Sequence, residues 1–199
     1  YKDRFAAGEI GRVVGEGLTA VVATSSGNTG AALAACSARY GVQCTIVVAE
    51  DAPAGKLMQM QAHGAQVIRV PGFTVDPHLT IEVMDLLKGV SVERGMALAI
   101  SAYRYCPVGM QRVESIGAEI TGKVPKAHIF VTVGGGGLCS AVIRGCVGTG
   151  AKVYAVQPER CNTVVTAWER GVETIEAVQS STKISGLSVP FDIDASLLV

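Results

Sequence analysis

TAVVATSSGNTG, at residues 19–30, carries an apolar, β-prone run directly into a turn of six small residues. A second segment of the same kind, AHIFVTVGGGG, occupies residues 127–137 and ends in four consecutive glycines. In both, the residues after the turn have helical character, which predicts free backbone N–H groups at the N-terminus of a helix. The helix dipole favours an anion there. Together the two turns predict a ligand with two anionic groups, such as a phosphate and a carboxylate.

Strands and helices are predicted to alternate along the chain. Apolar, β-prone runs lie at residues 19–24, 44–49, 66–70, 127–133 and 152–157, with a shorter one within 97–104. Helical segments separate them, at residues 31–39, 54–63, 76–94, 108–122, 138–147 and 162–171. Unbroken apolar strands separated by helices are typical of βαβ units, in which helices cover both faces of a parallel sheet. The pattern therefore predicts an α/β fold with three layers (αβα).

The composition excludes several classes of protein. The 199 residues are 49% hydrophobic and 17% charged, and the formal net charge is zero. Such a chain can bury a substantial core, but it offers no electrostatic footprint for nucleic acid or an anionic membrane surface. No apolar run approaches the ~20 residues of a membrane span. Six scattered cysteines and three histidines without ligand spacing lead us to expect a cytoplasmic protein with reduced thiols and no metal site.

The four glycines at residues 134–137 have three interpretations. Consecutive glycines allow backbone angles that other residues avoid, and they let a ligand approach the backbone closely. The ligand of such a loop is usually a phosphate. A flexible turn between a strand and a helix is the simplest alternative. A dinucleotide site is the third, since Gly134-x-Gly136 opens a helix and Glu159 follows the next strand. Against that reading, Cys139 occupies the third glycine position, where close helix packing requires Gly or Ala.

The turn at residues 25–30 is the more specific of the two. Capping of the following helix explains one or two of its polar residues, but not four of them with two glycines in six positions: Ser25, Ser26, Asn28 and Thr29. Hydroxyl and N–H groups suit a carboxylate, and an asparagine amide suits a phenolate or ring oxygen. Lys2 by itself is typical of a solvated surface lysine, although the Lys-Asp-Arg sequence directly precedes an alanine-rich helical start.

These segments resemble, in order and spacing, the motifs of one enzyme family. Tyr1-Lys2-Asp3-Arg4 resembles the Ser-Phe-Lys-Asp-Arg segment of fold-type II pyridoxal phosphate enzymes, the tryptophan synthase β-like superfamily. Residues 25–30 resemble its Ser-Gly-Asn turn, and residues 134–137 its phosphate cup. ISGLSV at residues 184–189 resembles a segment of its threonine synthase and dehydratase branches. The resemblance covers essentially the whole chain.

The resemblance implies pyridoxal 5′-phosphate as the cofactor and a role for each matching residue. Lys2 would form the internal aldimine and then shuttle the α-proton of the substrate. Asn28 would hydrogen-bond the 3′ oxygen of the cofactor. The other residues divide into ligands of the substrate carboxylate (Ser25, Ser26 and Thr29) and ligands of the 5′-phosphate (Gly134, Gly135, Gly136 and Gly137).

The implied activity is that of a lyase acting on a small amino acid by β- or γ-elimination or replacement. SAYRY at residues 101–105, followed by GMQ at 109–111, resembles the threonine synthase group, in which Arg104 is a candidate ligand for a substrate phosphate. An ordinary loop charge is the alternative for Arg104. A serine/threonine dehydratase or a cysteine synthase-like enzyme of the same superfamily is the alternative activity. A non-catalytic domain that binds the cofactor or phosphate is the alternative of another class.

The resemblance also implies two domains with the cofactor cleft between them. Residues 1–7 and 105–199 would belong to a large domain carrying the phosphate loop, and residues 8–104 would form a small α/β domain. The family has a Ser, Thr or Cys that faces the pyridine nitrogen, and we expect that residue beyond Val199. We therefore expect a fragment truncated at both ends, and a homodimer for the full-length protein.

Overall fold

The computed structural model describes residues 1–25, 27–74, 76–176, 182, 184, 187 and 193–198. The strands are β1 (Ala20–Thr24), β2 (Gln43–Ala49), β3 (Gln66–Val70), β4 (Ala97–Ala99), β5 (His128–Thr132) and β6 (Lys152–Val156). The helices are α1 (Lys2–Gly15), α2 (Asn28–Tyr40), α3 (Ala54–Ala62), α4 (Pro77–Glu93), α5 (Pro107–Lys123), α6 (Gly137–Gly145) and α7 (Thr163–Arg170). Within the described ranges, 3₁₀ turns lie at Glu159–Cys161 and Ala195–Leu198. The predicted α/β alternation is confirmed.

The chain divides into two compact units. One consists of Lys2–Ser101, and the other of Ala102–Val199 together with Tyr1. The domain limits expected from the sequence, with the small domain at 8–104, stay a prediction. Among the described residues, no helix is both long and apolar enough to cross a membrane.

The Lys2–Ser101 unit is built on a four-stranded parallel sheet. Its strand order is β3-β2-β1-β4, with β1 paired to both β2 and β4. The chain moves from β1 outward to β3 and then returns past β1 to β4. Because crossovers between parallel strands are right-handed, this reversal puts α4 on the opposite face of the sheet from α2 and α3. The unit is therefore a three-layer αβα structure.

Each face of this sheet is buried by a helix stripe. On the α4 face, Val83 and Leu87 pack against Val22 and Val47, with Phe73 completing the cluster. The intervening strand residues, including Val21, Ile46 and Val48, are buried as well. Burial on both faces explains why β1 and β2 are unbroken apolar runs rather than alternating ones.

The Ala102–Val199 unit contains the parallel pair β5–β6, with α5 packed on α6. Strand residues Ile129, Val131 and Val133 form its core with Cys139, Val142 and Val164. The two helices approach so closely that glycine is required at their crossing. A Cβ at Gly117 would lie 2.5 Å from the carbonyl oxygen of Val142, and one at Gly145 would lie 1.9 Å from that of Glu114. Both obstacles are backbone atoms, which cannot move aside without shifting a helix.

This crossing yields a stability test with a control on the same helix. Gly117→Ala should lower the free energy of unfolding by about 2 kcal/mol, because overpacking against backbone forces the helices apart. Gly122→Ala, where a Cβ would meet nothing within 4 Å, should raise it by about 0.5–1 kcal/mol through helix propensity. Urea unfolding measures both values. Equal effects of the two substitutions would contradict the close helix crossing.

Candidate functional site

The sheet of the Lys2–Ser101 unit has a reversal of strand order between β1 and β4. In open α/β sheets, ligands bind in the crevice at the carboxyl ends of the strands where the order reverses. Here β1 ends at Thr24, so the turn at residues 25–30 leaves the sheet at that point. The neighbouring strand β4 ends at Ala99, two residues before Ser101. The fold therefore brings the Ser-Gly-Asn turn and the β4 loop to one crevice.

The Lys2 side chain reaches the same crevice from the start of α1. Its Nζ donates a hydrogen bond to the Ser101 Oγ at 3.0 Å, and both residues are partly buried. Ninety-nine positions of sequence separate the two residues. Sequence reasoning missed Ser101 as a neighbour of Lys2, because only the pairing of β4 beside β1 brings it there.

The turn at residues 25–30 leads into α2 with Gly27 as its N-cap. No side chain of the described residues caps this helix, so capping does not account for Ser25, Asn28 or Thr29. The Ser25 Oγ accepts from the N–H of Gly27 at 3.2 Å. Within the described residues, the N–H groups of Asn28 and Thr29 meet no acceptor. These N–H groups at the positive end of a 13-residue helix are suited to bind a carboxylate. Ser26 lies outside the described residues.

Gly30 keeps this turn tightly folded. A Cβ there would lie 2.8 Å from the carbonyl oxygen of Ser25 and 2.6 Å from the Cε of Met60. The methionine end is flexible, but the Ser25 oxygen belongs to the turn itself. The sequence signal of two glycines in six residues thus has a steric cause at Gly30.

The tetraglycine loop, residues 134–137, connects β5 to α6 in the Ala102–Val199 unit. Gly136 is the N-cap of α6 and has a φ of 92°, a conformation that favours glycine. The first backbone bond of the helix runs from the N–H of Ser140 to the carbonyl of Gly136 at 3.0 Å. Among the residues that the structure describes, no acceptor faces the N–H groups of residues 134–139. These groups form the cradle that a phosphate requires.

Asp194 supports this loop from behind. Its N–H donates to the carbonyl of Gly135 at 2.7 Å, and a Cβ at Gly136 would lie 2.6 Å from its carbonyl carbon and oxygen. The residue is 1% exposed, and its carboxylate accepts from the N–H groups of Tyr103 at 2.6 Å and Arg104 at 3.1 Å. Asp194 therefore connects the tetraglycine loop to the loop at residues 102–105. No local sequence pattern identified it.

The Tyr103 side chain is held as a neutral phenol. Burial, followed by the hydrogen bond to Glu114, raises its pKa well above the ordinary value. The hydroxyl donates to the Glu114 Oε1 at 2.8 Å, and the Arg144 guanidinium lies 4.6 Å from the ring centroid. These contacts fix the loop that also carries Arg104, whose backbone N–H is bonded to Asp194.

Comparison with known proteins identifies the family of the chain. A family model described as pyridoxal-phosphate dependent enzyme matches residues 1–198. The chain belongs to this family. The family resemblance drawn from the motifs is thereby confirmed, and so is pyridoxal phosphate as the cofactor on which the family depends. A match over this length also decides against the dinucleotide interpretation of the four glycines.

Relatives of known name have several activities. The chain is 34% identical over 145 residues to L-threo-3-hydroxyaspartate ammonia-lyase of Saccharomyces cerevisiae, which covers 71% of the chain and 42% of the relative. It is 29% identical over 185 residues to threonine synthase of Methanocaldococcus jannaschii, and this match covers 88% of the chain and 44% of the relative. The crystal structure of a pyridoxal 5′-phosphate-dependent aspartate racemase superposes with a TM-score of 0.81 at 25% identity, covering 98% of this chain and 59% of that one. The chain thus spans less than half the length of these two curated relatives.

The residues present fit the family's cofactor. The Lys2–Ser101 unit holds the Lys2 amine and the polar turn after β1, in which the N–H groups of Asn28 and Thr29 meet no acceptor among the described residues. The other unit holds the glycine cradle, whose N–H groups meet no acceptor among the described residues. A lysine ammonium, hydroxyl groups and backbone N–H groups are all hydrogen-bond donors, and donors are what a phosphate or a carboxylate requires.

The steric support of the glycine cradle can be tested at two adjacent positions. Gly136→Ala should lower the affinity for pyridoxal phosphate at least about tenfold, because the new Cβ meets backbone at 2.6 Å in a backbone region that L residues avoid. Gly135→Ala should have a milder effect, since its Cβ would meet the side chain of Ile193 at 3.2 Å. Equilibrium binding followed by absorbance measures both. A larger loss for Gly135→Ala would refute this description of the loop.

The buried carboxylate of Asp194 provides a second test. Asp194→Asn should lower the free energy of unfolding by about 1–3 kcal/mol, because the amide NH₂ would face one of the two backbone N–H groups and leave it unsatisfied. Glu173→Gln, at an exposed position, is the control and should change stability by less than about 0.5 kcal/mol. Thermal and urea unfolding measure the difference. An Asp194→Asn protein as stable as the control would mean that the two hydrogen bonds are unimportant.

Proposed function

We propose that the protein is a pyridoxal-phosphate-dependent lyase that acts on a small amino acid by β- or γ-elimination or replacement, in the manner of the threonine synthase-like branch. The observation that carries this proposal is the Lys2 amine, which lies 3.0 Å from the Ser101 hydroxyl in the loop that follows β4, the strand next to β1. A lysine in a substrate crevice is suited to covalent and proton-transfer chemistry, whereas a surface lysine is not.

Lys2 has two tasks in this proposal. Its Nζ would hold the aldehyde group of the cofactor, and with an amino acid bound the same amine would accept and return the α-proton. Bound pyridoxal phosphate withdraws electrons from the α-carbon of the amino acid. The Ser101 hydroxyl accepts from Nζ and holds the side chain in the crevice rather than in solvent.

The polar turn binds the substrate carboxylate. Ser25 and Thr29 contribute hydroxyl groups, Ser26 contributes a third, and the N–H groups at the start of α2 add the helix dipole. Asn28 binds the 3′ oxygen of the cofactor through its amide. Because the carboxylate and the ring oxygen are recognised by consecutive residues, the turn orients the amino acid relative to the cofactor ring.

The tetraglycine loop binds the 5′-phosphate through the N–H groups of residues 134–137. Support comes from the absence of any acceptor for these groups among the described residues. Because these donors are backbone N–H groups, no side chain of the loop has to be ionised for the phosphate to be bound.

The substrate branch rests on the relatives. Threonine synthase and an ammonia-lyase are both among them, and both names are compatible with elimination or replacement on a small amino acid. Arg104 is the candidate ligand for a phosphate leaving group, if the substrate carries one. The full-length protein is proposed to be a cytoplasmic homodimer, without nucleic-acid or membrane partners.

The proposal is tested on the full-length protein and its Lys2→Ala variant. Addition of pyridoxal phosphate to the wild type should give an imine absorption band, and borohydride should fix the cofactor to the peptide that contains Lys2. In D₂O, a panel of serine, threonine, hydroxyaspartate and phosphohomoserine should reveal α-proton exchange and release of ammonia or phosphate. Lys2→Ala should lose both exchange and turnover by at least about 10³-fold.

Lys88→Met serves as the control, because Lys88 is an exposed lysine paired with Asp85 outside the crevice. The Lys88→Met variant should retain the imine absorption band and the α-proton exchange. A cofactor adduct without exchange on any amino acid would indicate a binding protein without turnover. If borohydride fixes no cofactor to Lys2, the proposal that the protein is an enzyme is wrong.

A further inference from the structure

Asn28 has a charged neighbour that the motif does not predict. The Nζ of Lys56, in the first turn of α3, lies 2.6 Å from the Oδ1 of Asn28 in the first turn of α2. The same ammonium lies 3.5 Å from the Oε1 of Gln59, one turn further along α3. Lys56 is partly buried while Asn28 is exposed. The two helices pack against each other, so the contact is part of their junction.

The chemistry of the pair fixes how the asparagine amide is oriented. A lysine ammonium has three donors and no acceptor, so the atom of Asn28 that faces it must be the carbonyl oxygen. The amide NH₂ then points away from Lys56. Among the described residues, no acceptor faces that NH₂ group. Its donor capacity is therefore available for a ligand.

We propose that Lys56 is a positioning residue, which holds the Asn28 amide with its NH₂ group directed at the 3-oxygen of pyridoxal phosphate. This inference rests on the proposed function, because it takes the cofactor ring to be the ligand of Asn28. An unrestrained amide exchanges its oxygen and nitrogen by a half-turn of its last torsion, which would set a carbonyl against an electron-rich oxygen. Lys56 disfavours that orientation, since it would bring the NH₂ group against the ammonium.

The test compares two cofactors that differ in one atom. Affinities of the full-length protein for pyridoxal phosphate and for 3-deoxypyridoxal phosphate are measured in wild type, Lys56→Met and Lys56→Arg. Lys56→Met keeps an unbranched side chain of nearly the same length but removes its donors. It should weaken the binding of pyridoxal phosphate about threefold to tenfold, the range for one hydrogen bond. Binding of the 3-deoxy analogue should change by less than about twofold. Lys56→Arg retains donors and should restore most of the affinity.

A double-mutant cycle separates positioning from a direct contact of Lys56 with the cofactor. In an Asn28→Ala background, Lys56→Met should not lower the affinity for pyridoxal phosphate further, because the Asn28 amide through which Lys56 acts is absent. An equal loss for both cofactors would indicate general attraction of the anionic phosphate by the lysine charge, and it would overturn the inference. So would an undiminished effect of Lys56→Met in the Asn28→Ala background, or unchanged affinity in Lys56→Met itself.

Failure of this inference is distinguishable from failure of the proposed function. If the wild type binds neither cofactor, the proposed function is wrong and the inference falls with it. If the wild type binds pyridoxal phosphate on Lys2 but Lys56→Met binds it equally well, only the inference is wrong. Lys88→Met is the matched lysine control and should bind both cofactors as the wild type does.

Discussion

The parallel pairing of β1 with both β2 and β4 is the constraint on which the crevice depends. Had β4 added beyond β3, the strand order would not reverse, and the polar turn after β1 would face the loop after β2 alone. Instead, β4 lies beside β1, and its loop delivers Ser101 to the Lys2 side chain. The sheet thereby converts residues that are distant along the chain into neighbours, without requiring any of them to contribute to the core.

Packing within the protein, and not only ligand binding, requires glycine in the two turns. Gly30 is confined by the carbonyl oxygen of its own turn, and Gly136 by the backbone of residues 194–195. Glycine at these positions is therefore required even before any anion binds. The same close contacts preorganise the N–H groups, so less conformational entropy is lost when a phosphate or carboxylate is bound. Packing and recognition favour the same residue type, which explains why a local motif is so informative here.

Sequence reasoning located the elements well, because each strand is a short apolar run closed by glycine or polar residues. The five longer strands begin and end within one residue of their predicted limits. The contacts of Ser101, Asp194 and Lys56 were not predicted. Each pairs residues from different elements, and the pairing follows from strand order and helix packing, which periodicity does not encode. The segment at 184–189 that resembles the dehydratase branch falls mostly outside the described residues.

Two of the residues that sequence reasoning missed belong to no motif themselves but contact residues of the two motifs. Asp194 donates its backbone N–H to Gly135 of the tetraglycine loop and accepts from the loop at residues 102–105 through its carboxylate, and Lys56 donates to the amide oxygen of Asn28. In both cases the named group could adopt more than one orientation by itself: a glycine backbone is permissive, and an amide is nearly symmetric in shape. A contact from a distant part of the chain limits these orientations: the backbone of Asp194 lies against Gly135 and Gly136, and the ammonium of Lys56 donates to the Asn28 oxygen. A binding motif made of small, adaptable residues therefore depends on neighbours from elsewhere in the chain, and a motif search does not detect those neighbours.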